Sequence, residues 1–127
     1  STIVTPGGYH SFEHRWALDE AFKLHLDLGK AEVQARIHAL NTYAKSRLLE
    51  HPQIELVTPK SPDLSAGFTF FRIKDRDCET IAAQLMENRV VCDAVERDVG
   101  PVIRIAPGLL NTEEQIDRFM AVLAKSL

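Results

Sequence analysis

Cysteine is scarce in this sequence, a large excess of one sign of charge is missing, and each of these closes off a class of protein. Two cysteines, Cys78 and Cys92, in 127 residues are too few for a disulfide scaffold or a Cys-rich zinc site, so a reducing, cytoplasmic compartment is expected. Fifteen Lys and Arg against 18 Asp and Glu leave a formal net charge of −3. That lacks the basic excess of phosphate-backbone binding, so nucleic acid is not an expected partner. No apolar run approaches the roughly 18–20 residues of a membrane span, and no membrane partner is expected. Internal repeats and low-complexity tracts are missing too. What remains, 45% hydrophobic and 26% charged residues, suits one domain with a real core. The chain opens Ser1-Thr2-Ile3-Val4-Thr5-Pro6-Gly7-Gly8 without Met. A piece of something longer is the expectation, with removal of an initiator Met before Ser as the alternative.

Apolar residues from Phe12 to Leu28 recur mainly at helical spacing, with Ser11 available as the N-cap and Gly29 as the stop. A second helix is expected from about Lys30 to Glu50, where Val33, Ile37, Leu40, Ala44 and Leu48 step by three or four. Pro52 breaks it. Short strands follow at Ile54 to Val57 and Gly67 to Ile73. Asp77 caps a third helix to about Asn88, with a stripe of Ile81, Ala82, Leu85 and Met86. Two more strands read from Val90 to Val95 and from Val102 to Ala106, the latter closed by Pro107. The last helix starts at Asn111 or Thr112 and carries Ile116, Phe119, Met120 and Leu123. The order α-α-β-β-α-β-β-α predicts an α+β two-layer sandwich, helices packed on a largely antiparallel four-stranded sheet. A division at 1–29, loop and leading helix, and 30–127, the sandwich, is expected.

Arg104 is the most informative side chain, because it interrupts an apolar strand between Ile103 and Ile105 and so points to the opposite face. A guanidinium there needs an anion. Either a ligand carboxylate takes it bidentately, or the side chain stands on a solvated sheet face or pairs with Glu55, Asp93 or Glu96 on a neighbouring strand. The segment Gly7 to Trp16 is the second candidate, since two glycines let backbone amides approach an anion at a helix entrance. His10 and His14, four apart, form a metal pair only if both are helical, and no nearby Cys, Asp or third His completes the set. His25, His38 and His51 read as surface or half-buried positions. Cys78 lies near a helix start, where the dipole could make its thiol somewhat acidic, and an ordinary reduced cysteine is the simplest account. No Ser-His-Asp or Cys-His constellation has a supporting motif.

The run Val102-Ile103-Arg104-Ile105-Ala106-Pro107-Gly108-Leu109-Leu110-Asn111-Thr112-Glu113-Glu114-Gln115-Ile116-Asp117-Arg118 resembles the C-terminal signature of the class V aminotransferase family. That family comprises enzymes dependent on pyridoxal phosphate (PLP), including cysteine desulfurases, kynureninase-like and isopenicillin N epimerase-like proteins. The Gly-Gly loop before a long helix, Ser65-Ala66-Gly67-Phe68 and Arg89-Val90-Val91 match as well, and His14-Arg15-Trp16-Ala17-Leu18 is most similar to the epimerase-like branch. The resemblance implies a small C-terminal domain in which Arg104 binds the α-carboxylate of an amino-acid substrate. It also implies that Gly8, Tyr9 and His10 stand where the family has a Gly-Thr loop near the PLP phosphate of the partner subunit. Tyr9 replaces the Thr. The Schiff-base lysine and the groups holding the PLP ring would come from a large domain absent here. Lys23, Lys30, Lys45, Lys60, Lys74 and Lys125 lack the family's Ser/His-Lys context. The complete enzyme would be a homodimer. A stand-alone interaction or ligand-sensing domain is the alternative, and an apolar surface around Phe12, Trp16, Ile3 and Val4 would argue against it.

Overall fold

The computed structural model describes residues 12–127, and the chain divides into two units, Ser1–Val33 and Gln34–Leu127. In the first, α1 (Phe12–Leu28) has the expected bounds. Gly29 ends it in the left-handed region (φ +83), its amide donating to the His25 carbonyl. No residue of α1 is buried. At 3.6 residues per turn, Phe12, Trp16, Phe22 and Leu26 lie along one side and Ala17, Ala21, Leu24 and Leu28 along the other. Trp16 is 72% and Leu26 77% exposed. Ser11, Ile3 and Val4 lie outside the described residues.

The helix α2 (Lys30–Leu48) starts directly after Gly29 and runs into the second unit. There follow β1 (Ile54–Leu56), β2 (Thr69–Ile73), α3 (Cys78–Glu87), β3 (Asp93–Arg97), β4 (Gly100–Ile105) and α4 (Glu113–Leu123). The sheet is antiparallel throughout, in the order β1-β2-β4-β3. Alternation sends Ile54, Phe71, Ile73 and Ile103 inward, where they join Leu48, Ile81, Leu85, Phe119, Met120 and Leu123 in the core. Phe71 meets Phe119 edge to face, centroids 6.2 Å apart. Leu40 and Ala44 of α2 pack with Ile116 of α4. This is the α+β sandwich expected from the sequence, with helices on one face of a four-stranded sheet.

Caps fix two of the helices. Asp77 accepts from the Thr80 amide at the start of α3, and Thr112 with Gln115 forms a reciprocal capping box at α4. Met86, expected in the buried stripe of α3, is 58% exposed. Strand β3 begins three residues later than expected, at Asp93 rather than Val90. Arg89 turns left-handed (φ 61) after α3, and ladder pairing to β4 starts only at Asp93↔Arg104. The ladder instead extends toward the hairpin through Glu96↔Pro101, where β2, whose pairing with β4 stops at Phe71↔Ile103, no longer needs a donor from Pro101.

Buried polar groups tie α2 to the loop before β2. Lys45, fully enclosed, donates to the Pro59 carbonyl at 2.8 Å and to Ser65 Oγ at 2.6 Å, and burial pushes its pKa down. One turn earlier Asn41 accepts from Thr69 Oγ1 at 3.0 Å. Arg36 reaches α4 through Glu113 (2.7 Å) and the Asn111 carbonyl (3.0 Å). On the sheet, Glu55 pairs with Arg72. The Arg36 and Arg72 guanidinium groups hold the carboxyls of Glu113 and Glu55 below the usual carboxylate range. A carboxylate depressed in the folded state contributes stability above its unfolded pKa and loses it as pH falls through the folded one. Resistance to urea should therefore fall below about pH 4.3, the ordinary Glu value. In Glu113→Gln that acid-side loss should be shallower, and an unchanged pH profile would remove the pair from the account.

Candidate functional site

The outward face of the sheet carries Glu55 from β1, Phe70 and Arg72 from β2, Val102 and Arg104 from β4, and Asp93, Val95 and Arg97 from β3. Arg72 crosses β4 to the Val99 carbonyl (3.2 Å), and Arg97 crosses it from the other side to lie 5.5 Å over the Phe70 ring. Val102 is fully buried on a face otherwise open or half-open. Arg72 is committed: its Nε and Nη2 bind both Glu55 oxygens at 3.0 and 2.7 Å.

Arg104 is held differently. Its Nη2 donates to Asp93 Oδ2 directly across the β3–β4 ladder, and its guanidinium lies 5.6 Å over the Phe68 ring. Among the described residues Nε and Nη1 of Arg104 make no hydrogen bond. Its side chain is one-third exposed, at 33%. The intrachain alternative weighed from the sequence is thus realised through Asp93, while Glu55 goes to Arg72. Half of the fork stays available on an open face lined by Phe68 and Phe70, whose rings are 6.4 Å apart.

In the loop after β4 the polar contacts of Asn111 are internal. Asn111 Oδ1 accepts from the Gly108 amide at 2.7 Å, and Asn111 Nδ2 donates to Gln115 Oε1 at 2.7 Å. The Asn-Thr pair of the signature is therefore a clasp that ends β4 and starts α4. Sequence reasoning found Arg104 but not its neighbours Phe68, Phe70 and Arg97. The alternation that put Arg104 outside was a signal for Phe70 as well.

Other candidates separate from it. Gly8, Tyr9 and His10 lie outside the described residues; His14 is exposed on α1. Among the described residues no cluster of three His, Cys, Asp or Glu side chains is placed to hold a metal. Cys78 does not keep an acidic thiol: burial raises its pKa despite its place at a helix start. Burial likewise pushes Cys92 up to about 11. Both thiols are protonated core groups at neutral pH. No described helix is long and apolar enough to cross a membrane.

Helices packed on one side of an antiparallel four-stranded sheet are the fold of the small domain in the aminotransferase class of PLP-dependent enzymes. Solved structures share this fold. The cystine C-S lyase C-DES, solved as a variant with glycine covalently linked to its PLP cofactor, matches 82% of this chain at 25% identity and a TM-score of 0.71, over 26% of its own length. The cysteine desulfurase CsdA of Escherichia coli matches 95% of the chain, and 32% of its own, at a TM-score of 0.77 and 14% identity, a likeness of fold alone. The kynureninase C-terminal domain family matches residues 33–123, and the chain belongs to that family. Among curated relatives, isopenicillin N epimerase of Streptomyces clavuligerus is 33% identical over 109 residues, which is 84% of this chain. The chain spans 27% of that relative's length.

Proposed function

We propose that this chain is the substrate-carboxylate side of a PLP-dependent enzyme that acts on an amino acid, of the epimerase, desulfurase or aminotransferase type. In this reading Arg104 binds the α-carboxylate. The observation that carries it is the half-committed fork of Arg104 on the open face, with Phe68 beneath and Nε and Nη1 unengaged among the described residues. A planar guanidinium with spare donors suits a carboxylate, which it takes with geometric as well as electrostatic selectivity.

The described residues do not form a site for PLP itself. Lys45 is enclosed by Pro59 and Ser65, and Lys23 is bound to Asp19 and Glu20 on α1. Lys74 continues the alternation of Phe70 and Arg72 next to Glu55, at the β1 edge of the sheet away from Arg104. The cofactor, which supplies an electron sink at the substrate's α-carbon, then belongs to the remaining length of the protein. What this chain does is bind and orient: one substituent of the α-carbon is fixed, and the other bonds are thereby presented in a definite order.

The partners follow from the same reading. A large PLP-binding domain of the same enzyme and a second copy in a homodimer would border the open face. The apolar sides of α1, with Phe12 61% and Trp16 72% exposed, support a covered helix over a stand-alone interaction or sensing domain. Gly8, Tyr9 and His10 are assigned to the phosphate side on resemblance alone. The test is a PLP titration of both forms: the full-length protein should bind one PLP per chain, and the 127-residue chain none at the same concentration. Stoichiometric binding by the short chain would overturn the division of labour. Absence of binding by the full-length protein would overturn the class of function.

A further inference from the structure

Two arginines on the open face are paired with carboxylates, yet the pairings differ in kind. Glu55 closes the fork of Arg72 with both oxygens, whereas Asp93 meets Arg104 with Oδ2 on Nη2 alone. Asp93 sits in register with Arg104, as the first pair of the β3–β4 ladder, so its backbone is fixed by the sheet. On the other side Phe70 is in register with Arg104 on β2, and the Phe68 ring lies under the guanidinium.

We propose that Asp93 is a positioning residue for Arg104: it pins one nitrogen of the guanidinium and so reserves the others for a single incoming carboxylate. This rests on the assignment of Arg104 as the carboxylate-binding group. An arginine side chain has many rotamers, and a ligand that meets it already fixed does not bear the entropy of fixing it. Asp93 also has an opposing effect, since its negative charge disfavours a second carboxylate nearby. The Asp93 side chain is 52% exposed, so solvent and salt screen that repulsion while the hydrogen bond still orients the guanidinium. Orientation wins, and removal of Asp93 weakens substrate binding.

The experiment uses the full-length protein loaded with PLP and L-alanine as the probe, its binding read from the cofactor's absorbance. Asp93→Ala should raise the half-saturating concentration by about tenfold, the worth of one ordered side chain. Asp93→Asn keeps an oxygen at the same place and should stay within about threefold of wild type. L-alaninamide, which has no carboxylate, should bind equally well to all three. A second readout is independent of catalysis: the Nε–H of Arg104 should become more mobile in 15N relaxation when Asp93 is replaced by Ala, and not when it is replaced by Asn.

An Asp93→Ala protein that binds L-alanine as well as or better than wild type would overturn the inference, as would an Arg104 Nε–H of unchanged mobility. Arg104→Ala, measured alongside, separates the two levels. If it leaves L-alanine binding unchanged, the assignment of Arg104 falls and the role of Asp93 falls with it. If it weakens binding while Asp93→Ala does not, only the role of Asp93 is lost.

Discussion

Replacement of Arg104 by Ala in the full-length, PLP-loaded protein should weaken amino-acid binding about 100-fold. A carboxylate on an arginine fork makes two charge-assisted hydrogen bonds, each worth roughly 1.5–3 kcal/mol. The Arg104 side chain is 33% exposed, which favours the lower end, and about 3 kcal/mol corresponds to two decades in affinity. Arg104→Lys should recover only part of this, because an ammonium offers a point charge in place of a fork. The effect should appear in KM, or in the half-saturating concentration of the amino acid, and should be absent for the corresponding amide. Stability should barely change, since the pair with Asp93 is partly exposed and such pairs contribute about 0–1 kcal/mol. An Arg104→Ala enzyme with unchanged KM would refute the assignment.

The largest effect on folding should come from Phe71→Ala. Phe71 is fully buried on β2, a strand paired on both sides, and its ring packs edge to face against Phe119 of α4. Truncation removes contacts between sheet and helix layer and leaves a cavity that neither layer can close, at a cost of about 4 kcal/mol. Domains of this size are stable by only about 5–15 kcal/mol, and the melting temperature should drop by roughly 15 °C or more. Phe68→Ala, at a ring 45% exposed on the opposite face, is the control and should shift the midpoint by a few degrees at most. Equal losses for the two variants would mean that the sheet is not packed as described.

The same division, inner face for stability and outer face for binding, separates what was legible in the sequence from what was not. Helices α1 and α4 follow the periodicity closely, and the buried stripe Ile116, Phe119, Met120, Leu123 is the one the spacing gives. The Thr112 cap and the turn to Arg104's outward face are equally local facts. Met86 departs from its stripe because the apolar arc of α3 is wider than the surface available to cover it. Strand β3 slips toward the hairpin because a strand exists only where a partner lies alongside, and β4 is that partner.

Burial of Lys45 had no signal in the sequence at all. It is one lysine of a helix rich in polar residues, and only the loop that carries Pro59 and Ser65 encloses it. The choice of Asp93 over Glu55 and Glu96 as the partner of Arg104 was likewise open. Three carboxylates satisfy the same charge argument: strand order puts Glu55 beside Arg72, and the β3–β4 register sets Asp93 rather than Glu96 opposite Arg104.

By itself, then, the sequence determined the elements, the faces they bury and the side of the sheet on which Arg104 stands, because these depend on contacts within a few residues along the chain. Only the tertiary structure decided which carboxylate holds Arg104, which donors it keeps, and which rings lie beside it. Those depend on residues 11 to 36 positions apart brought together by strand pairing, and register is a property of the assembled sheet.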